Sequence, residues 1–314
     1  MSVYEKDRRR NKVLFWNLQG RYAILYNILL KLIYEVITME PIYVTGHKSP
    51  DTDSICSSFG MARLKQLQGI DAVPVRAGEI NKETAFALDY FGVKPQQLMS
   101  DFYVKVEDAV HRNLKPLAEE ASLKDAALWF NEHDQHAFAP VVKGNKLVGV
   151  LERSALAEEF IKTVTGAELD TVRALVHEPQ MTFSVNDNGH DVPETGCYVV
   201  VDGADYVGVV SADSVAHAPK KQVFLVDHNE KKQKKKKTKG GFDEAQIVGV
   251  VDHHRIGGTL ATDGPIFIHF RPVGCTATMV TSLYNESGTE IPKEIAGLLL
   301  SAIISDTVLF RSPT

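Results

Sequence analysis

Cysteine is scarce in this sequence. Cys56, Cys197 and Cys275 are the only three in 314 residues, they lie far apart, and no CxxC pair occurs. An odd, scattered set excludes a disulfide framework, a zinc finger and an iron–sulfur cluster, and fits a reducing compartment. Long apolar runs are lacking as well. The best candidate, residues 22–37, is short for a membrane span and is broken by Lys31 and Glu35. No small-residue cleavage site follows it, so a signal peptide is not expected, nor a role at a membrane, and the expected location is the cytoplasm. The net charge, finally, hides a local feature. Nine lysines fall at positions 220, 221, 231, 232, 234, 235, 236, 237 and 239, so that outside them the net charge of −5 becomes −14. An acidic bulk argues against a general nucleic-acid binder.

What remains, 44% hydrophobic and 24% charged, suits a soluble globular protein long enough for two domains. Residues 1–38 open on a basic stretch and continue as an amphipathic helix candidate with Leu25, Ile28, Leu29, Leu32 and Ile33 on one side, an added surface helix in the simplest reading. The stretch richest in chemistry is 46–55, Gly-His-Lys-Ser-Pro-Asp-Thr-Asp-Ser-Ile. An apolar run at 42–45 reads as a buried strand and 57–67 has helical spacing, which makes the stretch a strand-to-helix turn. His47, Asp51 and Asp53 therefore sit at the carboxyl end of an expected parallel strand, where open α/β sheets place their ligands. Carboxylates so close repel one another unless a cation lies between them.

Strands at 42–45 and 72–76 alternate with helices at 57–67 and 82–90, the pattern of a parallel sheet. A repeat then interrupts it. Val-Val-Lys-Gly-Asn-Lys-Leu-Val-Gly-Val-Leu at 141–151 returns as Val-Val-Asp-Gly-Ala-Asp-Tyr-Val-Gly-Val-Val at 200–210, with Gly144 and Gly149 each recurring 59 residues later. Each copy reads as a hairpin followed by a short helix. Alternation resumes with apolar strands at 222–226 and 247–251, ending in Asp227-His228-Asn229-Glu230 and Asp252-His253-His254-Arg255, a third strand at 266–270, and helices at 276–283 and 291–304, the last running into Ser305-Asp306-Thr307. The lysine-rich segment 231–241 reads as a solvated loop. His133 and His136 read as surface or packing residues, and Cys56 and Cys275 as small packing residues.

A lone aspartate after a strand is usually a helix cap. His47, Asp51, Asp53, Asp227, His253 and Asp306 together are not explained that way. Two histidines and four carboxylates suit a pair of divalent ions with oxygen-rich shells, and favour Mn²⁺ over a closed structural Zn²⁺ site.

These four motifs resemble those of the family II inorganic pyrophosphatases, a branch of the DHH phosphoesterase superfamily. The repeat resembles a tandem pair of cystathionine-β-synthase-type (CBS) domains, as in the CBS-containing subgroup. The fold implied is α/β, a parallel-sheet DHH phosphoesterase domain (39–98 and 219–314) interrupted by an inserted α+β CBS-domain pair (99–218). The activity implied is metal-dependent hydrolysis of pyrophosphate to two phosphates by a water activated between two ions, Mn²⁺ or Co²⁺, with Mg²⁺ accompanying the substrate. His47 and Asp51 would bind one ion, Asp53 and His253 the other, and Asp227 and Asp306 both, with Asp227 counted as catalytic. His254 would face the substrate as donor or acid. In the CBS pair, Ser211 and Asp213 would meet an adenine nucleotide (AMP, ADP or ATP), while the first copy has Glu152-Arg153-Ser154 and no aspartate there. A homodimer is implied, with AMP and ADP inhibiting. The family's second lobe carries a Ser-Arg-Lys-Lys-Gln clamp that is absent here, so the expectation is a metal lobe plus regulatory insert. Two alternatives stand beside this reading: a DHH phosphodiesterase acting on short oligonucleotides or cyclic dinucleotides, and a non-catalytic nucleotide sensor.

Overall fold

The computed structural model describes residues 41–99, 101–166, 170–229, 241–242, 244–258, 260–262 and 264–311. The expected N-terminal helix and the lysine run 231–239 lie outside them, as does Glu230. Strand β1 (Ile42–Thr45) leads into helix α1 (Thr52–Leu67), followed by β2 (Ala72–Arg76), α2 (Lys82–Tyr90) and the short β3 (Gln97–Leu98). Helix α1 begins five residues earlier than its apolar spacing predicts. Asp51 is the reason: its carboxylate accepts from the Ser54 N–H at 2.9 Å and caps the first turn, so Asp53 stands on a helix rather than on a loop. Thr52, Ser54, Ser57 and Ser58 are all buried on this helix, which hides the helical period from any reading of polar against apolar residues.

The insert follows as α3 (Val106–Ala109), β4 (Leu117–Ala118), α4 (Leu123–Glu132), β5 (Phe138–Lys143), β6 (Lys146–Glu152), α5 (Arg153–Thr165), α6 (Val172–Leu175), β7 (Thr182–Ser184), β8 (Tyr198–Asp202), β9 (Asp205–Val210) and α7 (Ala212–Ala216). Its strands form one mixed sheet in the order β4-β5-β6-β9-β8-β7. The order reads the same from both edges inward, so the sequence repeat becomes a pseudo-two-fold whose centre is the β6–β9 pair. Register slips after Val141 in β5 and after Val200 in β8, again 59 residues apart. Gly149 and Gly208 have a shared reason too. A Cβ on either would come within 2.3 Å of a backbone carbonyl, that of His177 or of His111. Those carbonyls belong to segments bridged to Val150 and Val209, so glycine is what lets each linker lie against its central strand.

The chain then returns to the first sheet with β10 (Gln222–Val226), β11 (Gln246–Asp252) and β12 (Phe267–Phe270), and closes with α8 (Thr276–Ser287) and α9 (Lys293–Asp306). This sheet is wholly parallel, ordered β12-β11-β10-β1-β2-β3. From β1 the chain winds one way to β2 and β3, then crosses back to the other side of β1. The crevice between β1 and β10 is therefore a topological switch point. Val44, Phe224, Val226 and Val251 pack with residues of α1, α8 and α9 in a single core. No helix among the described residues is long and apolar enough to cross a membrane.

Candidate active site

Every residue expected to hold metal lies at the carboxyl end of the parallel sheet. His47 follows β1, Asp51 caps α1 and Asp53 is in its first turn; Asp227 follows β10, Asp252 ends β11 with His253 just beyond, and Asp306 is the last residue of α9. The ligand atoms of His47, Asp51 and Asp227 lie within 4.8 Å of one another, as do those of Asp53, His253 and Asp306, and those of Asp227, His253 and His254. Asp227 thus stands between the groups: its two carboxylate oxygens lie 3.3 Å from His47 Nε2 and 3.5 Å from His253 Nε2. Asp306 stands in one group with Asp53 and His253, and the charges of Asp51 and Asp227 also act on it.

Hydrogen bonds fix these side chains from behind. Asp53 is fully buried and accepts from the Thr276 and Ala277 N–H groups at 2.6 and 2.8 Å and from Ser57 Oγ at 2.8 Å. Helix α8 has no cap of its own at Cys275, so Asp53 caps it from across the core. Asp227 accepts from Ser54 Oγ at 2.6 Å and from Thr276 Oγ1 at 3.3 Å. Its φ of 58° is left-handed, a conformation that costs a non-glycine residue on the order of 1 kcal/mol or more and recurs at functional sites. His253 Nδ1 lies 2.8 Å from the Val273 carbonyl, which can only accept, so Nδ1 carries the proton and Nε2 is left to ligate.

The electrostatics show what the cluster lacks. Burial, then the charges of Asp227 and Asp306, push Asp53 well above the usual carboxylate range. Burial with Asp51 and Asp227 lifts Asp306 to about 6. Burial opposes charge on His47, but its bonds to Asp227 and Asp51 win and raise it to about 10. The bond to Asp227 raises His253 to about 9 against burial. Burial also pushes Asp227 upward, yet the bonds from His253, His47 and Ser54 hold it well below the carboxylate range. Among the described residues, no lysine or arginine pairs with Asp51, Asp53, Asp227 or Asp306; histidines pair with Asp51 and Asp227. Clustered carboxylates with imidazoles as their only countercharge hold protons where cations would serve better, and a mixed imidazole and carboxylate donor set fits one or two divalent ions.

The sequence profile of the DHH family N-terminal domain matches residues 41–303. The chain belongs to the DHH family. Among curated relatives of this DHH chain, a cobalt-dependent inorganic pyrophosphatase of Clostridium perfringens is 28% identical over 396 residues, covering 87% of this chain and 71% of its own. A Bacillus cereus protein named "probable manganese-dependent inorganic pyrophosphatase" is 31% identical over 276 residues, covering 88% of this chain and 51% of its own. A solved structure from Methanococcus jannaschii, described as a "putative family II inorganic pyrophosphatase", is 25% identical with a TM-score of 0.41, covering 86% of this chain and 50% of its own. The DHH chain thus spans about half the length of two of these three.

Motif reading missed four DHH-site residues. Ser54 and Thr276 hold Asp227, while Asp252 and Asn229 join each other at 2.6 Å and hold the loop after β11. Asp252 and Asn229 stand inside quoted motifs, at strand ends, and that position was the available signal; Thr276 carried none. Cys56 and Cys275 pack in the core as expected, and burial pushes both thiols up, Cys275 to about 12.

In the insert, a cavity of about 520 Å³ is lined by His111, His133, His136, Cys197 and Ser211 among others. His133 and His136 are therefore cavity-wall residues as well as partners of the Trp129 ring. Ser211 caps α7, its Oγ accepting from Ser214 N at 3.2 Å. Asp213 turns outward, 86% exposed and 3.4 Å from His217, away from this lining. The residue that matches the motif by spacing is thus not on the cavity, because α7 begins at Ala212 and sends position 213 to its outer face.

Proposed function

We propose that this chain is the metal-binding part of an inorganic pyrophosphatase that hydrolyses pyrophosphate to two phosphates with Mn²⁺ or Co²⁺. The observation that carries the reading is Asp227, buried, left-handed and flanked by two histidine–carboxylate groups at a switch point. Cobalt and manganese enter from the names of the relatives. His47, Asp51 and Asp227 would hold one ion, and Asp53, His253 and Asp306, with Asp227 shared, the second. When bound, such ions lower the pKa of water and neutralise charge on phosphoryl oxygens.

The protein's own residues do the rest. Asp53 has both oxygens engaged by donors, which restricts it to one direction of approach. Asp227 is held by Ser54 on one oxygen and meets Thr276 on the other, so neither group can swing away. On the open side, His47, Ser49, His254 and Arg255 line a cavity of about 440 Å³ with Asp227 at its base. Arg255 offers N–H donors to a phosphate held there, and His254 does so at Nε2 when its ring carries a second proton.

Residues 99–218 are read as a CBS pair that binds an adenine nucleotide at the Ser211 cavity and modulates the reaction. The repeat and its pseudo-two-fold sheet support this. The deciding experiment for the activity is phosphate release from pyrophosphate by the purified chain with Mn²⁺, beside the same protein in chelator. Metal-dependent release supports the reading. Absence of release with both ions bound would refute it for this chain, and cleavage of a phosphodiester with pyrophosphate untouched would replace it.

A further inference from the structure

We propose that Asp252 positions His254, fixing its imidazole in the Nδ1–H form so that Nε2 is the nitrogen left for the substrate. The role in catalysis rests on the pyrophosphatase reading; the tautomer does not. Asp252 is fully buried at the end of β11 and belongs to none of the three groups able to hold a metal. One of its oxygens, Oδ1, accepts from His254 Nδ1 at 2.8 Å and from the His254 backbone N–H at 3.0 Å. A carboxylate only accepts, so the proton on this side of the ring belongs to Nδ1. Asp227 is no competitor, at 3.7 Å from the same nitrogen.

The other oxygen is committed as well. Asp252 Oδ2 accepts from Asn229 Nδ2 at 2.6 Å, and that amide also donates to the Arg255 carbonyl at 2.9 Å and accepts from Gly257 N at 3.0 Å. Asn229 is 3% exposed. The loop after β10 thereby clamps the loop after β11 at three points, and the half-exposed His254 ring is carried to the cavity on a fixed backbone. The adjacent His253 shows the contrast. Its Nδ1 meets a backbone carbonyl and its Nε2 faces Asp227, as a ligand requires. His254 has a carboxylate behind it instead, and among the described residues nothing is bonded to its Nε2, which leaves that nitrogen for the substrate.

The test uses the full chain labelled with ¹⁵N-histidine and loaded with diamagnetic Mg²⁺, the His254 signal being assigned by its loss in His254→Gln. Wild type should show the Nδ1–H form. Asp252→Asn keeps the shape but replaces the carboxylate by a neutral amide, a weaker acceptor for His254 Nδ1 whichever way it turns, so it should shift that signal. In Mn²⁺ the same variant should lose about 10–100-fold in kcat while KM and Mn²⁺ affinity move by less than about threefold. A wild-type ring in the Nε2–H form, an unshifted His254 signal in the variant, an unchanged kcat, or a metal affinity falling in step with kcat would overturn the proposal. If the wild type releases no phosphate, the activity reading has failed by itself and the tautomer still decides the positioning role. Should Asp252→Asn not fold, Asn229→Ala frees Asp252 Oδ2 and should shift the same signal to a smaller extent; no shift counts against the proposal.

Discussion

The two six-stranded sheets of this chain reach their sites by opposite routes. In the parallel sheet, residues scattered over 47–306 converge on one edge, each sent there by a different strand or helix end. In the mixed sheet a single unit is duplicated, and glycine pairs, register slips and hairpins recur at one spacing. Convergence makes the first site intolerant of losing any shared member. Duplication gives the second sheet two copies of each feature, so that divergence of one, as at Glu152 against Ser211, leaves the sheet intact.

The sharpest way to break this contrast is Asp227→Asn. Phosphate release should fall by about three orders of magnitude or more, the scale of removing one member of a unit that acts together. AMP affinity, measured by calorimetry, should stay unchanged. A parallel loss of both would mean that the sheets do not act as separate units.

Next come the paired glycines. Gly208→Ala and Gly149→Ala should each destabilise the chain by about 1–3 kcal/mol in urea unfolding, because a methyl group would press on a backbone carbonyl that cannot yield. Gly144→Ala meets nothing within 4 Å and carries only the cost of its left-handed φ of 63°, about 1 kcal/mol. Equal costs at all three would remove the close-approach argument.

A pH series separates the sheets by charge. In metal-free protein, His47 and His253 titrate above the ordinary histidine value, so their pairing stabilises fully below about pH 6.5. It is lost as pH rises through about 9 and about 10. Chelated protein should therefore lose Tm between pH 7 and 10. Metal binding needs neutral imidazoles, so Mn²⁺ affinity should rise over the same range. A flat metal-free profile would contradict the pairing with Asp227. The smallest expected effect lies in the insert: Ser211→Ala should weaken AMP binding more than Asp213→Ala, since only Ser211 lines the cavity. The reverse order would restore the motif's aspartate.

Much of this was legible in one dimension because each signal was local. Apolar runs at 72–76 and 222–226 and the helix at 82–90 match observed elements, since burial on both faces or a regular stripe leaves a pattern in consecutive residues. The start of α1 was not legible: its buried serines and threonines look polar, and they are buried because the sheet, α8 and α9 surround them. The outward direction of Asp213 was not legible for a related reason, since its place on α7 decides it.

The sequence by itself determined the alternation of strands and helices, the tandem repeat, and the kinds of ligand at each element end, because periodicity and donor chemistry belong to short stretches. Only the tertiary structure decided that β10 lies beside β1, which brings Asp227 between His47 and His253 across 180 residues of chain. It also decided that Asp53 caps α8 and that Asp252 stands behind His254. Hydrogen bonds and shared charge depend on distances of about 3 Å, and those distances exist only once the sheet is wound.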